Sequence, residues 1–146
     1  MGDRGEKKDK GKVQQQEWKD KMSKVESYKT FHDGQIIFED GSNSDGIYLV
    51  KQGEVEISKN VGDQKIVIEI IREGDIFGEM ALIDKSPRSA TAAAKGTAVV
   101  GVLNRDFFDS EFNKVSADFQ KIIKTVAFRL RITTERYIEA QKGKGD

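Results

Sequence analysis

Cysteine is absent from the 146-residue chain, and histidine and proline occur once each, as His32 and Pro87. Without cysteine there is no disulfide bond, thiolate metal site, iron–sulfur cluster or cysteine nucleophile. A single histidine excludes a multi-histidine metal centre. No apolar run approaches the roughly 20 residues of a membrane span, and the N-terminal MGDRGEKKDK is not a signal peptide. These absences predict no metal, no cofactor, no membrane span and a cytoplasmic location.

The net charge is zero, but the charges are unevenly distributed. Residues 1–24 carry eight basic and five acidic side chains, and residues 114–146 carry eight basic and four acidic side chains. The middle of the chain, residues 25–113, carries nine basic and sixteen acidic side chains. Because an acidic surface repels polyanions, we expect no nucleic-acid binding by this part. An anion bound there needs specific local donors.

The chain is predicted to divide into three parts. Residues 1–16 are polar and charged, which is typical of a disordered tail. A short helix is predicted around residues 17–25, with Trp18 and Met22 on one face. The tail is followed by a domain over residues 17–112 and by a C-terminal helical segment over residues 113–142.

The domain is predicted to be mainly β. In GEVEISK, Val55 and Ile57 alternate with polar residues, as in a half-buried strand. IYLVKQG, KIVIEII and TAVVGVL are further strands, and glycines punctuate the runs like turns. Many short strands of this kind predict an antiparallel β-barrel, of the jelly-roll or double-stranded β-helix type, with flanking helices.

Two helices are predicted after the strands. NRDFFDSEF is typical of a short helix, and a long helix is predicted from Ser116, its N-terminal cap, to Gln141, with Gly143 ending it. Its apolar residues form a heptad seam: Phe119, Ile123, Val126, Leu130, Thr133 and Tyr137. A second apolar set lies on another face: Ile122, Phe128, Ile132 and Ile138. One face for the barrel and one for a partner helix predicts a parallel homodimer through residues 116–141. The alternative is a helix that only covers its own barrel.

The segment GDIFGEMALIDKSPRSATAAA, residues 74–94, offers groups that suit a nucleotide. Gly78 allows close approach of the backbone, and a helical turn beginning at Ala81 and Leu82 would present free N–H groups to an anion. Arg88 supplies a planar fork for phosphate oxygens, and Pro87 before it restricts the loop. Glu79 can accept a hydrogen bond from a sugar hydroxyl. A Glu79–Arg88 ion pair that only ties the loop together is the structural alternative.

The residues FGEMALIDKSPRSAT, 77–91, resemble the phosphate-binding cassette of the cyclic-nucleotide-binding domain family. Nine positions fit the family pattern: Phe77, Gly78, Glu79, Ala81, Leu82, Pro87, Arg88, Ala90 and Thr91. The glycine-marked strands DGQIIFEDG and GIYLVKQGEVEI are similar as well. The likeness extends over about residues 25–140 and is strongest to the sensor domain of bacterial catabolite activators.

The resemblance implies roles for residues 77–91, which we call the cassette. Arg88 would bind the cyclic phosphate, aided by Ser89 and by the backbone of Gly78–Leu82, and Glu79 would accept from the ribose 2′-OH. Binding residues in the cassette would be Gly78, Glu79, Met80, Ala81, Leu82, Arg88, Ser89 and Ala90. Ile57, Ile68 and Ile71 are candidates for the wall against the base, although core packing explains each of them equally well.

The identity of the base depends on the long helix. FRLRITTERY, residues 128–137, resembles the dimerisation helix of the activators. By that likeness Arg129 would approach Glu79, while Thr133 and Thr134 would contact an adenine amino group, one of them from the partner subunit. Ser89 fits cGMP or cAMP, and a threonine hydroxyl can serve either base. We predict cAMP, with cGMP as the alternative.

The predicted function is a regulatory module that binds a cyclic nucleotide and signals through its C-terminal helix. The activators continue into a helix-turn-helix domain, whereas this sequence ends at AQKGKGD, so no sequence-specific DNA binding is expected. Whether the sequence is a complete protein or a piece of one stays open, as does the identity of any effector protein. A dimerisation scaffold without ligand and a small β-barrel enzyme are alternatives, although no nucleophile–base pair is evident for catalysis.

Overall fold

The structure is a computed structural model that describes Val25 and residues 27–144. The predicted charged tail and the short helix after it lie outside the described residues.

The described chain is mainly an antiparallel β-sheet with helices beside it. In chain order the elements are β1 (Ser27–Phe31), β2 (Ile36–Phe38), β3 (Gly46–Val61), β4 (Gln64–Ile71), β5 (Ile76–Phe77), α1 (Glu79–Ile83), β6 (Thr91–Asn104), α2 (Arg105–Asn113) and α3 (Ala117–Gln141). The strands follow the order β1-β6-β3-β4, with β2 paired to β6 and β5 paired to β3. The predicted fold class is confirmed. The pairing forms an open path, because within residues 27–144 no ladder joins β1 to β4, so the barrel is not closed by hydrogen bonds.

The predicted strands IYLVKQG and GEVEISK are one continuous strand, β3. Gly53 lies between them with φ of +84°, and the register of β3 against β6 shifts on both sides of Gln52. A side chain at position 53 would place its Cβ 2.2 Å from the carbonyl oxygen of Thr97. Gly53 therefore forms a bulge where two strands approach closely, and it does not form a turn. The first half of this long strand pairs with β5, and its second half pairs with β4. It therefore connects the two parts of the sheet.

The main core lies between the layers of the folded sheet. Val50, Val55, Ala92 and Ala98 are fully buried in it, beside Phe77 and Tyr48. The small run SATAAA, residues 89–94, leads into β6, which begins at Thr91, and the side chains of Ala90, Ala92 and Ala94 are buried. Small side chains at these positions allow β6 to pack closely where the cassette rejoins the sheet. A second cluster, formed by Ile47, Leu82 and Leu103, joins the sheet to α1 and α2.

The predicted helix boundaries are confirmed for both C-terminal helices. The side chain of Asn104 accepts a hydrogen bond from the Phe107 N–H at 2.8 Å and caps α2. Ser116 caps α3 by accepting from the Phe119 N–H at 3.3 Å. Gly143 follows the end of α3 with φ of +77°, a conformation that costs glycine little. No helix of the described residues is both long and apolar enough to cross a membrane.

Helix α3 packs against α1 and β4, with Ala127 and Ile138 buried. The predicted division of its apolar residues is only partly correct. Ile122 and Phe128 are 56% and 60% exposed, so the second apolar set is not a single barrel-facing surface. The seam residues Phe119, Val126, Leu130 and Tyr137 are exposed as well. The packed face includes polar residues such as Arg131 and Thr134, which a search for apolar periodicity does not detect.

Candidate functional site

One cavity of about 410 Å³ lies between the sheet, the cassette and α3. Its walls come from strands β2 to β5, from the cassette and from two residues of α3. The lining residues are Phe38, Ile57, Ile68, Glu69, Ile71, Asp75, Ile76, Phe77, Gly78, Glu79, Met80, Ala81, Arg88, Ser89, Ala90, Leu130 and Thr134. This volume is in the range of small-molecule sites.

Arg88 is the buried cation of this cavity, with only 2% of the residue exposed. Its Nη1 donates to the carbonyl oxygen of Gly78 at 2.6 Å and its Nη2 to that of Gly46 at 2.7 Å. The guanidinium also lies over the ring of Phe38, 4.2 Å from the ring centre. Burial lowers the pKa of Arg88, while Tyr48 and Asp45 act in the opposite direction. An arginine nevertheless keeps its proton in proteins, so the side chain is a fixed positive charge.

The Nε atom of Arg88 is buried and has no hydrogen-bond partner among the described residues. Buried N–H groups are nearly always satisfied, because an unpaired one costs about 1–3 kcal/mol. The two Nη atoms are held by carbonyl oxygens, so the guanidinium cannot turn freely. Arg88 is therefore a cation fixed in position beside the cavity, and its Nε–H is a hydrogen-bond donor without a partner among the described residues. This is the arrangement expected where an anionic ligand completes the site.

Gly78 connects the cassette backbone to Arg88. It is the N-cap of α1 and has φ of +82°. A Cβ at this position would lie 2.6 Å from the Arg88 Nη1 atom, so the close approach requires glycine. Helix α1 begins at Glu79, two residues earlier than the predicted turn at Ala81. Since the first N–H groups of a helix have no partner within it, the earlier start brings them to the cavity wall.

The predicted alternative, an ion pair between Glu79 and Arg88, is not formed. Among the described residues, the carboxylate paired with Arg88 is Asp45, at 3.4 Å from Nη2. Tyr48 donates its hydroxyl hydrogen to the same Asp45 oxygen at 2.9 Å. Burial, followed by this hydrogen bond, raises the pKa of Tyr48 to about 12, so the hydroxyl remains a donor. Arg88 thus has a carboxylate partner other than Glu79.

Glu79 lines the cavity and is partly buried. Burial raises the pKa of its carboxyl above the ordinary value, and the nearby charge of Glu69 acts in the same direction. A hydrogen bond to its own backbone and the charge of Arg88 act against these two effects. The carboxyl group is therefore an acceptor whose ionisation is opposed by its surroundings. A ligand that donates a hydrogen bond to it stabilises the ionised form.

Apolar side chains form the wall of the cavity away from Arg88. Ile57 on β3 and Ile68 and Ile71 on β4 line this wall, and their contact with a base stays a prediction. Ile71 is 5% exposed and also belongs to the main core. Both interpretations of the sequence therefore apply to Ile71, which packs in the core and lines the cavity.

Helix α3 covers the open side of the cavity with Leu130 and Thr134, which we call the roof. Arg131 lies between them in sequence and contacts the end of α1. Its Nε is 2.7 Å from the Asp84 carboxylate, and its Nη2 donates to the hydroxyl of Ser86, which in turn donates to Asp84. Partial burial acts to raise the pKa of Asp84, but the hydrogen bonds from Arg131 and Ser86 outweigh it and lower the pKa. We call the contacts of Arg131, Asp84 and Ser86 the latch.

The structure brings most of the predicted binding residues to this one cavity. The exceptions are Leu82, Arg129 and Thr133. Leu82 belongs to α1, and its side chain is buried in the second cluster. Arg129 and Thr133 are exposed on α3 and do not line the cavity of their own chain, so their contact with a nucleotide stays a prediction.

Sequence reasoning missed several residues of the cavity and the latch. Phe38, Glu69 and Asp75 carried no pattern that marked them as cavity residues, because each depends on how distant strands pair. Arg131 was missed because likeness to the activators favoured Arg129, two residues earlier. Only the packing of α3 against α1 separates the two arginines, because it leaves Arg131 half-buried against Asp84 and Arg129 exposed. No group of His, Asp or Glu in the described part of the chain could hold a metal ion.

Comparison with known proteins identifies the family. The model of the cyclic nucleotide-binding domain matches residues 28–114. A cAMP-dependent protein kinase regulatory subunit from Aspergillus fumigatus is 41% identical over 75 residues, which are 51% of this chain and 18% of the relative. A cGMP-dependent protein kinase from Toxoplasma gondii is 38% identical over 79 residues, which are 54% of this chain and 8% of the kinase.

A solved structure supports the same fold. The cAMP-bound form of the EAL enzyme Bd1971 has a TM-score of 0.72 and 29% identity, over 79% of this chain and 31% of that one. The matched regions span at most about a third of these proteins. The likeness therefore concerns one domain and not the whole relatives.

Proposed function

Since the chain belongs to the cyclic nucleotide-binding domain family, we propose that it is a regulatory module that binds cAMP in the cavity and signals through α3. One observation carries the proposal. A buried arginine, whose Nε has no partner among the described residues, lines a cavity that also contains carboxyl acceptors and an apolar wall. Phosphate, ribose hydroxyl and purine require these three kinds of group.

The cyclic phosphate is proposed to lie at Arg88. Its Nε–H, which has no partner among the described residues, and the N–H groups at the start of α1 are donors for its oxygens. Ser89, the next residue, also lines the cavity, and its hydroxyl is a further donor. Because a cyclic monophosphate carries a single negative charge, one arginine neutralises it without leaving an excess of buried charge.

The ribose 2′-OH is proposed to donate to Glu79. This hydrogen bond favours the ionised carboxylate, which burial and Glu69 oppose in the free protein. The base would then lie against Ile57, Ile68 and Ile71, under Leu130 and Thr134. Thr134 lines the cavity from the chain's own α3, which fits the predicted contact with the base.

We favour cAMP over cGMP. Several similar proteins are cAMP-dependent kinase regulatory subunits, and the solved regulatory domain of Toxoplasma gondii PKA contains cAMP. The enzyme Bd1971 has cAMP-bound and cGMP-bound forms, so it supports neither nucleotide over the other. The alternative is cGMP, because one relative is a cGMP-dependent kinase and Ser89 suits either nucleotide. No catalytic role is proposed, because the cavity offers carboxyl and guanidinium groups suited to holding a ligand and no nucleophile paired with a base.

Signal transmission is proposed to use α3. The roof residues contact the cavity, and the latch joins α3 to the end of α1, so a ligand can favour one position of the helix. The exposed seam, with Phe119 and Val126 each 61% exposed, is proposed to form a parallel homodimer through residues 116–141. Sedimentation of Leu130→Glu should then report a monomer where the unmodified chain is a dimer.

Calorimetric titration with cAMP, cGMP and 5′-AMP tests the proposed function. We expect saturable binding of cAMP, weaker binding of cGMP, and little binding of 5′-AMP, whose open phosphate has an additional charge and a different shape. Tighter binding of cGMP than of cAMP would show that cGMP is the ligand. If neither cyclic nucleotide binds, the proposal is wrong.

A further inference from the structure

Glu69 is a charged residue on the otherwise apolar wall of the cavity. It lies on β4 and pairs with Ile57 of β3 in the antiparallel register. Paired residues on adjacent strands share a face of the sheet. Since Ile57 lines the cavity, Glu69 faces it too, and both belong to the cavity lining.

A β-bulge produces this arrangement. Ile57 pairs with Glu69 but the next residue, Ser58, pairs with Val67, so Ile68 has no residue opposite it. In a regular strand, the consecutive residues Ile68 and Glu69 would point to opposite faces. Here both line the cavity. Bulges often occur beside functional sites, where they redirect a side chain.

The Glu69 carboxylate has no hydrogen-bond or ion-pair partner among residues 27–144. It is close enough to Glu79 to act on the pKa of that residue. Three carboxylates therefore line one cavity, those of Glu69, Asp75 and Glu79, and only Arg88 provides a cation among the lining residues. Of the three, Glu69 lies on β4 beside Ile68 and Ile71, the residues proposed to face the base. Glu69 is exposed to solvent. Since an ionised carboxylate only accepts hydrogen bonds, a ligand group placed against Glu69 is favoured where it donates one.

A cAMP molecule has two such donors. The ribose 2′-OH is taken by Glu79 in the proposed function, on which this inference depends. The remaining donor is the N6 amino group of adenine, since the ring nitrogens N1, N3 and N7 are acceptors. In guanine the same position carries O6, an acceptor that a carboxylate repels.

We propose that Glu69 accepts a hydrogen bond from the N6 amino group of adenine and thereby selects a 6-amino purine over a 6-oxo purine. The apolar wall and Thr134 do not make this distinction, because a threonine hydroxyl can donate or accept. Glu69 is thus the specificity-determining residue of the base site.

A protective role is the competing explanation. β4 is an edge strand of the sheet, and inward-pointing charges on edge strands prevent edge-to-edge association. Such a role would change self-association and would leave the relative affinities for different nucleotides unchanged. Base selectivity therefore separates the two explanations.

The test compares cAMP with inosine 3′,5′-cyclic monophosphate, which carries O6 in place of the amino group and a hydrogen on N1. The unmodified chain should bind cAMP at least about tenfold more tightly, the ratio expected for one hydrogen bond to a charged group. Glu69→Gln should reduce the ratio to within about threefold, because an amide can donate to O6. Asp63→Asn, in the turn of the same hairpin and outside the cavity, removes an equal charge and should keep the original ratio.

An unchanged ratio in Glu69→Gln, or an equal loss for both nucleotides, would overturn the inference while leaving cAMP binding intact. A larger loss of cGMP than of cAMP would overturn it as well, since Glu69 would then be binding the N1–H and N2 amino groups of guanine. If the unmodified chain binds none of these nucleotides, the proposed function is wrong, and the inference is wrong with it. Thermal unfolding of the free variants identifies any that fail to fold.

Discussion

At the cassette end of the cavity, Arg88 is 2% exposed and two carbonyl oxygens hold its guanidinium. On the α3 side of the cavity, the roof residue Leu130 is 47% exposed, and the latch is a polar contact that joins α3 to α1. One end is rigid before a ligand arrives, whereas the other depends on the position of a single helix.

This difference suggests a division of tasks within the site. A preorganised cation lowers the cost of binding, because little has to be ordered when the ligand arrives. Helix α3 is held by the latch and by its contacts with β4. It can change position where a ligand favours a different set of these contacts, which is what a regulatory element needs. The cassette end should therefore control whether a cyclic nucleotide binds, and the roof should control how long the nucleotide stays and how its binding is signalled.

The largest effect is expected at the cassette end. Arg88→Lys keeps the charge but loses the planar set of N–H donors. We expect cAMP affinity to fall about a hundredfold, and the free energy of unfolding to fall by about 1–3 kcal/mol because the carbonyl oxygens of Gly78 and Gly46 lose their donor. Calorimetric titration and denaturant unfolding measure the two effects.

Arg105→Lys is the matched control for this variant. Arg105 donates to the carbonyl oxygen and the hydroxyl of Ser44, next to the loop held by Arg88, but it does not line the cavity. Its replacement should lower stability slightly and leave cAMP affinity unchanged. Wild-type affinity in Arg88→Lys would show that the cassette end does not anchor the ligand.

A smaller effect is expected at the roof. Arg131→Gln removes the ion pair of the latch, whose side chains are 18% and 19% exposed. We expect cAMP to dissociate several times faster, because such a partly buried pair contributes on the order of 1 kcal/mol. Stopped-flow displacement of a fluorescent cAMP analogue measures the rate.

A double-mutant cycle with Asp84→Asn tests the mechanism of this effect. If the latch acts as a unit, the double variant should be no worse than the single ones. Arg136→Gln, which removes an exposed cation from the same helix, should keep the original rate. Additive losses from Arg131 and Asp84 would mean that the two residues act separately.

Protonation of Asp84 should break the ion pair of the latch at low pH. The folded-state pKa of Asp84 lies below its ordinary value. Its contribution to stability is therefore present above that ordinary value and is lost only as the pH falls through the lowered one. We therefore expect the ion pair between Asp84 and Arg131 to persist at neutral pH. If it breaks there, the cause is not protonation of Asp84.

Local patterns in the sequence were sufficient to predict most elements of the fold. Ser116 and Gly143 mark the ends of α3, because capping depends on residues next to each other. The cassette was recognised for the same reason, since its pattern lies within a short run of consecutive residues. The resemblance to a known family supplied the roles of Arg88 and Glu79, which the residues alone left open against an ion pair.

Features that depend on distant pairing could not be predicted in the same way. From the sequence, Gly53 is interpreted as a turn residue. The structure shows that a Cβ at this position would lie 2.2 Å from the Thr97 carbonyl oxygen on β6. Glu69 looks like an outward charge until the bulge at Ile68 sets the register of β4. Arg131 and Arg129 differ only in the helix face that the packing of α3 selects. In each case the deciding contact is with a residue far away in the chain.

A crystal structure of the chain with cAMP tests the central claim most directly. We predict that a phosphate oxygen lies within about 2.7–3.1 Å of the Arg88 Nε, the distance of a charge-assisted hydrogen bond, and that the ribose 2′-OH lies on Glu79. The bonds from Arg88 to Gly78 and Gly46 should persist in the complex. A nucleotide bound elsewhere, or a phosphate that does not contact Arg88, would contradict the account.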